Sequence, residues 1–219
     1  MPTFREVATA AYCPRKLYYR RRAAAPDEDV PEAVQERRAL AFRYPALLAP
    51  DADLREAPIA VTPTQFRSRL GAARARLDAW PALADPADRD VLLSGKDCRG
   101  VAHKVCDTDP PVPSLVFTGA PPEEGVWHPQ RVRAVAAAKA LAWERGTRIE
   151  RAFAEYPAHG VVREVPVEAR RAGEYREALR TARSIDGPPA RVRNSDKCAP
   201  CEYRERCGVR TRSLGSLLS

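Results

Sequence analysis

The chain lacks an apolar run long enough to be a signal peptide or a membrane span. It opens Met1-Pro2-Thr3-Phe4-Arg5-Glu6, and its longest apolar stretch, Ala134 to Trp143, is alanine-rich and broken by Lys139. The expectation is a soluble, cytoplasmic protein with no membrane partner. There is also no internal repeat, no P-loop, no Gly-x-Gly-x-x-Gly and no Gly-x-Ser-x-Gly, so the enzyme classes those motifs mark have no support. Lysine is scarce beside arginine. With a net charge of +8, an arginine-dominated basic chain suits bidentate contacts to phosphate, and nucleic acid is the obvious polyanionic partner. The same arginines would also serve as the solvated faces of helices.

At 219 residues, 44% of them apolar, the chain is long enough to bury a core without cross-links. Its cysteines therefore call for another explanation than rescue of a small fold. Three of them lie in Cys198-Ala-Pro-Cys201-Glu-Tyr-Arg-Glu-Arg-Cys207, a C-x2-C-x5-C spacing, and Cys13 is the natural fourth member. In a reducing compartment this spacing favours a metal over disulfides. Thiolates suit tetrahedral zinc as well as an iron-sulfur cluster, so ligand type leaves both open. Pro14 suits the first turn of a helix, which puts Cys13 at or just before a helix N-terminus, where the dipole favours a thiolate. Cys98 and Cys106 read as small buried hydrophobes.

Periodicity organises the rest. Phe4, Val7, Ala8 and Ala11 are at helical spacing. A linker follows from Ala23 to Pro31, and helical spacing returns from Pro31 to Leu48. Thr62-Pro63-Thr64-Gln65 is a capping box with proline at the first helical position, opening a helix towards Trp80. From Val91 the pattern changes to short β-branched segments: 91–93, 100–106 and 112–117, separated by Gly95 and by Asp107-Thr108-Asp109-Pro110-Pro111. His128-Pro129-Gln130 opens a helix that stops at Gly146. Strands follow around 149–156 and 161–167, then a helix from about Gly173 to Ile185. This order predicts an α/β or α+β domain with one central sheet. The divisions expected are an N-terminal helical segment (1–22), a helical region (23–90), a sheet core (91–190) and a cysteine motif (191–219).

The Tyr12-Cys13-Pro14-Arg15-Lys16-Leu17-Tyr18-Tyr19 context, with the three C-terminal cysteines, resembles the CRISPR-associated "Cas-four" family of RecB-like exonucleases. The strand, strand, glutamine-bearing helix, strand, strand, helix order is similar to that family's PD-(D/E)XK core. The resemblance covers nearly the whole chain. It implies a RecB-like, restriction-endonuclease-type core with a central mixed sheet flanked by helices, closed by a C-terminal cysteine-cluster subdomain. It implies a 4Fe-4S cluster on Cys13, Cys198, Cys201 and Cys207, with zinc as the alternative. It also implies DNA as a partner, single-stranded in the main, and proteins of CRISPR adaptation or DNA repair.

The family's catalytic motifs are replaced. A nuclease of this type holds Mg2+ or Mn2+ with an Asp and a Glu and steadies the attacking water with a Lys. The matching positions here carry His103, Leu115 and Phe117. Gln130 matches the family's glutamine, Ala134 stands where a tyrosine belongs, and no histidine precedes residue 103. The reading is a degenerate nuclease centre on a chain that binds DNA or a partner complex. One alternative is an active single-stranded DNA exonuclease, holding Mg or Mn through displaced carboxylates such as Asp107, Asp109, Glu123 or Glu124. Another is a zinc-stapled structural or nucleic-acid-binding module. For nucleic-acid contact the candidates are Arg15, Arg20, Arg21 and Arg22, interleaved with Tyr18 and Tyr19, together with the helix carrying Arg67 to Arg76.

Overall fold

The computed structural model describes residues 1–23, 30–192 and 195–208. Five strands form one sheet in sequence order: β1 (Asp88–Ser94), β2 (Arg99–Cys106), β3 (Val112–Val116), β4 (Arg151–Tyr156) and β5 (Val161–Pro166). The β1/β2, β2/β3 and β4/β5 pairs are antiparallel, and β3/β4 is parallel. A parallel neighbour needs a long crossover. The connection from β3 to β4 supplies it with α7 (His128–Arg145), which stops at Gly146 in the left-handed conformation, φ 61°. The sheet is thus mixed and flanked by helices, in the element order that periodicity predicts.

One face is covered by α1 (Phe4–Tyr12), α7 and α8 (Ala169–Ser184). Alanines 134 and 136–138 of α7 are fully buried, and small side chains bring the helix close to the sheet. A Cβ at Gly95 would meet the Ala140 Cα at 2.7 Å, so only glycine fits there. α1 is fixed at its start by a capping box between Thr3 and Glu6. It lays Phe4 over Gly100, where a Cβ would come within 2.5 Å of the ring. The opposite face is covered by α5 (Pro63–Arg76), α6 (Trp80–Ala84) and residues 40–47. α2 (Pro14–Arg22) follows α1 after a break at Cys13.

Several boundaries differ from the sequence expectation. Residues 31–48 form no continuous helix: α3 (Glu32–Ala39) gives way to a 3-10 turn at Leu40–Phe42, Arg43 leaves helical geometry, and α4 (Tyr44–Leu47) restarts with Pro45 in its first turn. A proline in a helix interior would remove a hydrogen bond and clash with the preceding turn. The Thr62 capping box forms as expected, but α5 ends at Arg76 and Leu77 is extended, with Pro81 inside the separate helix α6. The sheet begins at Asp88 rather than 91, β4 at Arg151 rather than 149, and α8 at Ala169 rather than 173. α1 packs on α7 and α8, so residues 4–12 belong to the layer covering the sheet. Among the described residues no helix is long and apolar enough to cross a membrane.

Candidate functional site

Cys13 is both the last cap of α1 and the first cap of α2, in extended geometry at φ −160°, ψ 110°. Pro14 supplies the first residue of α2, as its fixed φ favours. Cys198, Cys201 and Cys207 come from a series of turns at the other end of the chain. All four cysteines line one small cavity of about 20 Å3, together with Tyr12, Arg15, Lys16, Tyr19, Arg191 and Lys197 among others. Burial, and then the neighbouring Cys13, Cys207 and Cys201, raise the Cys198 thiol above its ordinary pKa. The four cysteines expected together from sequence are therefore brought to one place.

The two chain ends are also held by side chains independent of the thiols. The Tyr12 hydroxyl donates to the Lys197 carbonyl at 3.1 Å and the Lys197 ammonium to the Tyr12 carbonyl at 3.3 Å. Tyr19 donates to the Arg206 carbonyl at 3.0 Å and stacks on Tyr203 with ring centroids 5.9 Å apart. Lys16 pairs with Glu202 at 2.8 Å. In number and kind the donors fit a thiophilic metal, and the cations around them offset thiolate charge. Their spacing does not yet enclose one: among the described residues no three His, Cys, Asp or Glu side chains stand close enough together to hold an ion. The cavity that the cysteines share with these side chains has room for about one water. Cys98 and Cys106 lie elsewhere and are buried. Cys98 is bonded to the Tyr175 hydroxyl at 3.2 Å, and burial followed by the charge of Glu155 pushes the Cys106 thiol up to about 12.

The second region is the fork where β2 and β3 separate. Their ladder ends at the Lys104/Ser114 pair. The next bond is made by a side chain: the Val116 backbone N–H donates to His103 Nδ1 at 2.9 Å. Opposite His103 on β1, Asp90 is in the left-handed region at φ 51°, where side chains are uncommon. Residues two apart on a regular strand share a face. Here Ala102 packs with the α7 face, while the Lys104 ammonium reaches the Ala41 and Leu83 carbonyls on the other. The hairpin turns over at His103, whose ring plugs the gap. Burial first, then the charges of Arg133, Arg38 and Lys104, drive its pKa down to about 3. His103 is a neutral acceptor, with its proton on Nε2 by inference from the Val116 bond.

Leu115 is fully buried and Phe117 is 9% exposed, both on the α7 side of the sheet. Phe117 meets Tyr156 with centroids 5.8 Å apart, and the Tyr156 hydroxyl donates to Gln130 Oε1. Phe117, Gln130 and Arg133 line a single groove of about 320 Å3, whose other wall is Arg5, Tyr12, Lys16 and Arg20 of α1 and α2. Of the positions matched to a nuclease centre, Phe117 and Gln130 line this groove, whereas His103, Leu115 and Ala134 do not, and no carboxylate lines it. Asp107, Asp109, Glu123 and Glu124 are exposed in turns. The 107–111 turn is at the far end of β3 from Phe117, roughly 15 Å along a five-residue strand.

The arginines singled out from sequence divide. Arg15 donates to the Pro189 carbonyl at 2.9 Å and to Tyr19, and Arg21 pairs with Glu6 at 2.7 Å and donates to the Ala182 carbonyl. Both are committed within the fold, Arg21 joining α2 to α1 and α8 and Arg15 tying α2 to the segment after α8. Arg22 is exposed and stacked on Tyr18 at 3.9 Å, and Arg20 lines the groove. The basic residue that sequence reasoning missed is Arg133. Its signal was available: it is the one charge between Val132 and Ala138, a run otherwise wholly buried. No family model matches the chain, and no curated protein matches its sequence.

Proposed function

We propose that this chain is a metal-stapled, nucleic-acid-binding protein built on a nuclease-like sheet, and that it does not cut. The observation that carries the reading is a contrast of donor types. Four thiols from opposite chain ends line one cavity, while the fork that a hydrolytic Mg2+ or Mn2+ would need is filled by His103, Leu115 and Phe117. Cys13, Cys198, Cys201 and Cys207 would hold the metal centre, a 4Fe-4S cluster on the resemblance. Such a centre supplies a covalent tie between the chain ends and a redox-capable site. Arg15, Lys16, Arg191 and Lys197 provide the positive field around it. Single-stranded DNA is the proposed ligand, with CRISPR-adaptation or DNA-repair proteins as the partner class and the cytoplasm as the compartment. Zinc is the second reading, since four thiolates suit tetrahedral zinc as well as a cubane.

Anaerobic purification followed by iron, zinc and acid-labile sulfide analysis tests the metal. Iron with matching sulfide is expected, lost together in Cys13→Ser and in Cys201→Ser. Zinc alone would replace the cluster with a zinc staple, and neither metal would remove the staple altogether. Labelled single-stranded DNA incubated with Mg2+ or Mn2+ should remain intact. Degradation abolished by Asp107→Asn with Asp109→Asn would overturn the non-cutting reading.

A further inference from the structure

The groove between α1, α2 and the first turns of α7 is lined by four cationic side chains, Arg5, Lys16, Arg20 and Arg133, and by no acidic one, with Lys16 also paired to Glu202 outside the lining. Arg133 is the unusual member. Most of its guanidinium is withdrawn from water, its Nε has no hydrogen-bond partner, and its near neighbours Phe117 and Arg5 offer a ring face at 5.8 Å and a like charge. Burial, reinforced by Arg5 and Arg38, brings its pKa down to about 10. A guanidinium so placed destabilises a fold unless something else in the molecule's life requires it. An oxyanion in the groove would bring Arg133 a counter-charge that no carboxylate lining the groove supplies. The planar fork of arginine matches phosphate in particular. Gln130 adds to the same wall, because accepting from Tyr156 at Oε1 orients its amide NH2 as a donor.

We propose that this groove is a nucleotide-phosphate site in which Arg133 is the buried anchor and Arg5, Lys16 and Arg20 are the outer cations. At about 320 Å3 it is at the small end of the roughly 300–1,000 Å3 typical of ligand pockets, so it takes one nucleotide unit and not a duplex. This deepens the nucleic-acid reading above and rests on it, naming the part of the ligand that is gripped and the residue that grips it. The phosphate belongs to a strand or to a free mononucleotide, and the two are separated by measurement.

The test uses the full chain as wild type, Arg133→Gln and Arg145→Gln. The last changes an exposed arginine on the same helix, roughly 18 Å further along its axis. Binding of short oligothymidylates with and without a 5′ phosphate is followed by fluorescence anisotropy across a salt series. Thermal shift is recorded with inorganic phosphate and with thymidine monophosphate. Arg133→Gln is expected to weaken oligonucleotide binding about tenfold or more, and to lower the salt slope by about 0.7, the single-strand value for one phosphate. It should also raise the melting temperature of the unliganded protein and abolish stabilisation by phosphate, whereas Arg145→Gln leaves binding within about twofold. A variant that melts lower and binds worse would make Arg133 merely structural and overturn the proposal. Equal oligonucleotide binding by wild type and Arg133→Gln would also overturn it while leaving the nucleic-acid reading intact. Stabilisation by phosphate through Arg133 with no oligonucleotide binding would keep the groove and remove that reading. Thymidine monophosphate binding as tightly as the oligonucleotide would assign the groove to a free nucleotide.

Discussion

On the sheet face covered by α5 and α6, Lys104 is fully buried, and each of its three N–H donors has a partner. It reaches Glu155 at 2.8 Å, the Leu83 carbonyl at 3.0 Å and the Ala41 carbonyl at 2.6 Å, with the Tyr44 and Phe42 rings 4.7 Å and 5.2 Å away. The second oxygen of Glu155 accepts from the Ser114 hydroxyl at 2.5 Å. Through the sheet, on the α7 face, Arg133 has an unpartnered Nε and no carboxylate beside it in the groove. The two faces thus handle buried charge in opposite ways. A satisfied network fixes how helices and strands meet and leaves nothing over for a ligand. A groove that holds Arg133 without a carboxylate beside it gives up stability for the capacity to bind.

The largest effect that separates the two is at Glu155. Glu155→Leu leaves the Lys104 ammonium buried without its counter-ion and is expected to cost about 3–5 kcal/mol, as for other broken buried pairs. For a chain of this size that is roughly 10 °C in melting temperature. The double variant Lys104→Met/Glu155→Leu should recover most of the loss, since a packed apolar pair often equals a buried ionic one. A single variant melting within a degree of wild type would show that the pair does not hold this face. Arg133→Gln should move stability the other way, which makes the two substitutions a direct measure of the contrast.

His103, between the two faces, gives the next effect. Its folded pKa of about 3 is below the ordinary 6.5, so between those values the unfolded chain takes up a proton that the folded chain refuses. The stabilisation is fully present above about pH 6.5 and is lost as pH falls towards 3. His103→Asn keeps an acceptor for the Val116 N–H and removes the titration. Urea denaturation at about pH 7 and about pH 4 should show wild type losing roughly 3 kcal/mol relative to that variant, from the 1.4 kcal/mol per pH unit of one proton. Parallel declines in the two proteins would show that the imidazole is not held neutral.

Much of this layout is legible in the sequence, for reasons that differ by element. The Thr62 capping box, the Gly146 stop and the five strands are local signals, and each element is present, with strand ends shifted by up to three residues. The gathering of Cys13 with Cys198, Cys201 and Cys207 is legible from spacing and flanking residues, because few arrangements use three clustered thiols and one distant one. The turnover at His103 is not legible. Gly100-Val101-Ala102-His103-Lys104-Val105-Cys106 reads as an ordinary strand, and the change of face depends on Asp90 across the hairpin. Lys104 looks like a solvent-facing lysine for the same reason, since its partner Glu155 is 51 residues away on β4. The break at residues 40–47 was signalled by Pro45 but masked by apolar spacing on both sides.

The smallest effect probes how complete the satisfied network is. Ser114→Ala removes the partner of one Glu155 oxygen and is expected to cost about 1–2 kcal/mol, the desolvation of a buried acceptor left unpaired. One group could blunt that loss. The Tyr44 hydroxyl is buried, has no hydrogen-bond partner, and is held protonated by burial and then by the Glu155 charge, which together raise its pKa well above the usual value. It is a donor near the Glu155 carboxylate. If Ser114→Ala is nearly neutral while Ser114→Ala/Tyr44→Phe loses the full amount, the tyrosine has taken the serine's place and the network holds a spare donor. If both cost the same, Tyr44 contributes only its ring, which stacks on Trp80 at 5.6 Å and covers the ammonium. Either result keeps the Lys104 face closed to ligands. A Ser114→Ala protein that gained phosphate binding would break the division between the two faces, because it would show that the buried lysine can be recruited once its carboxylate is loosened.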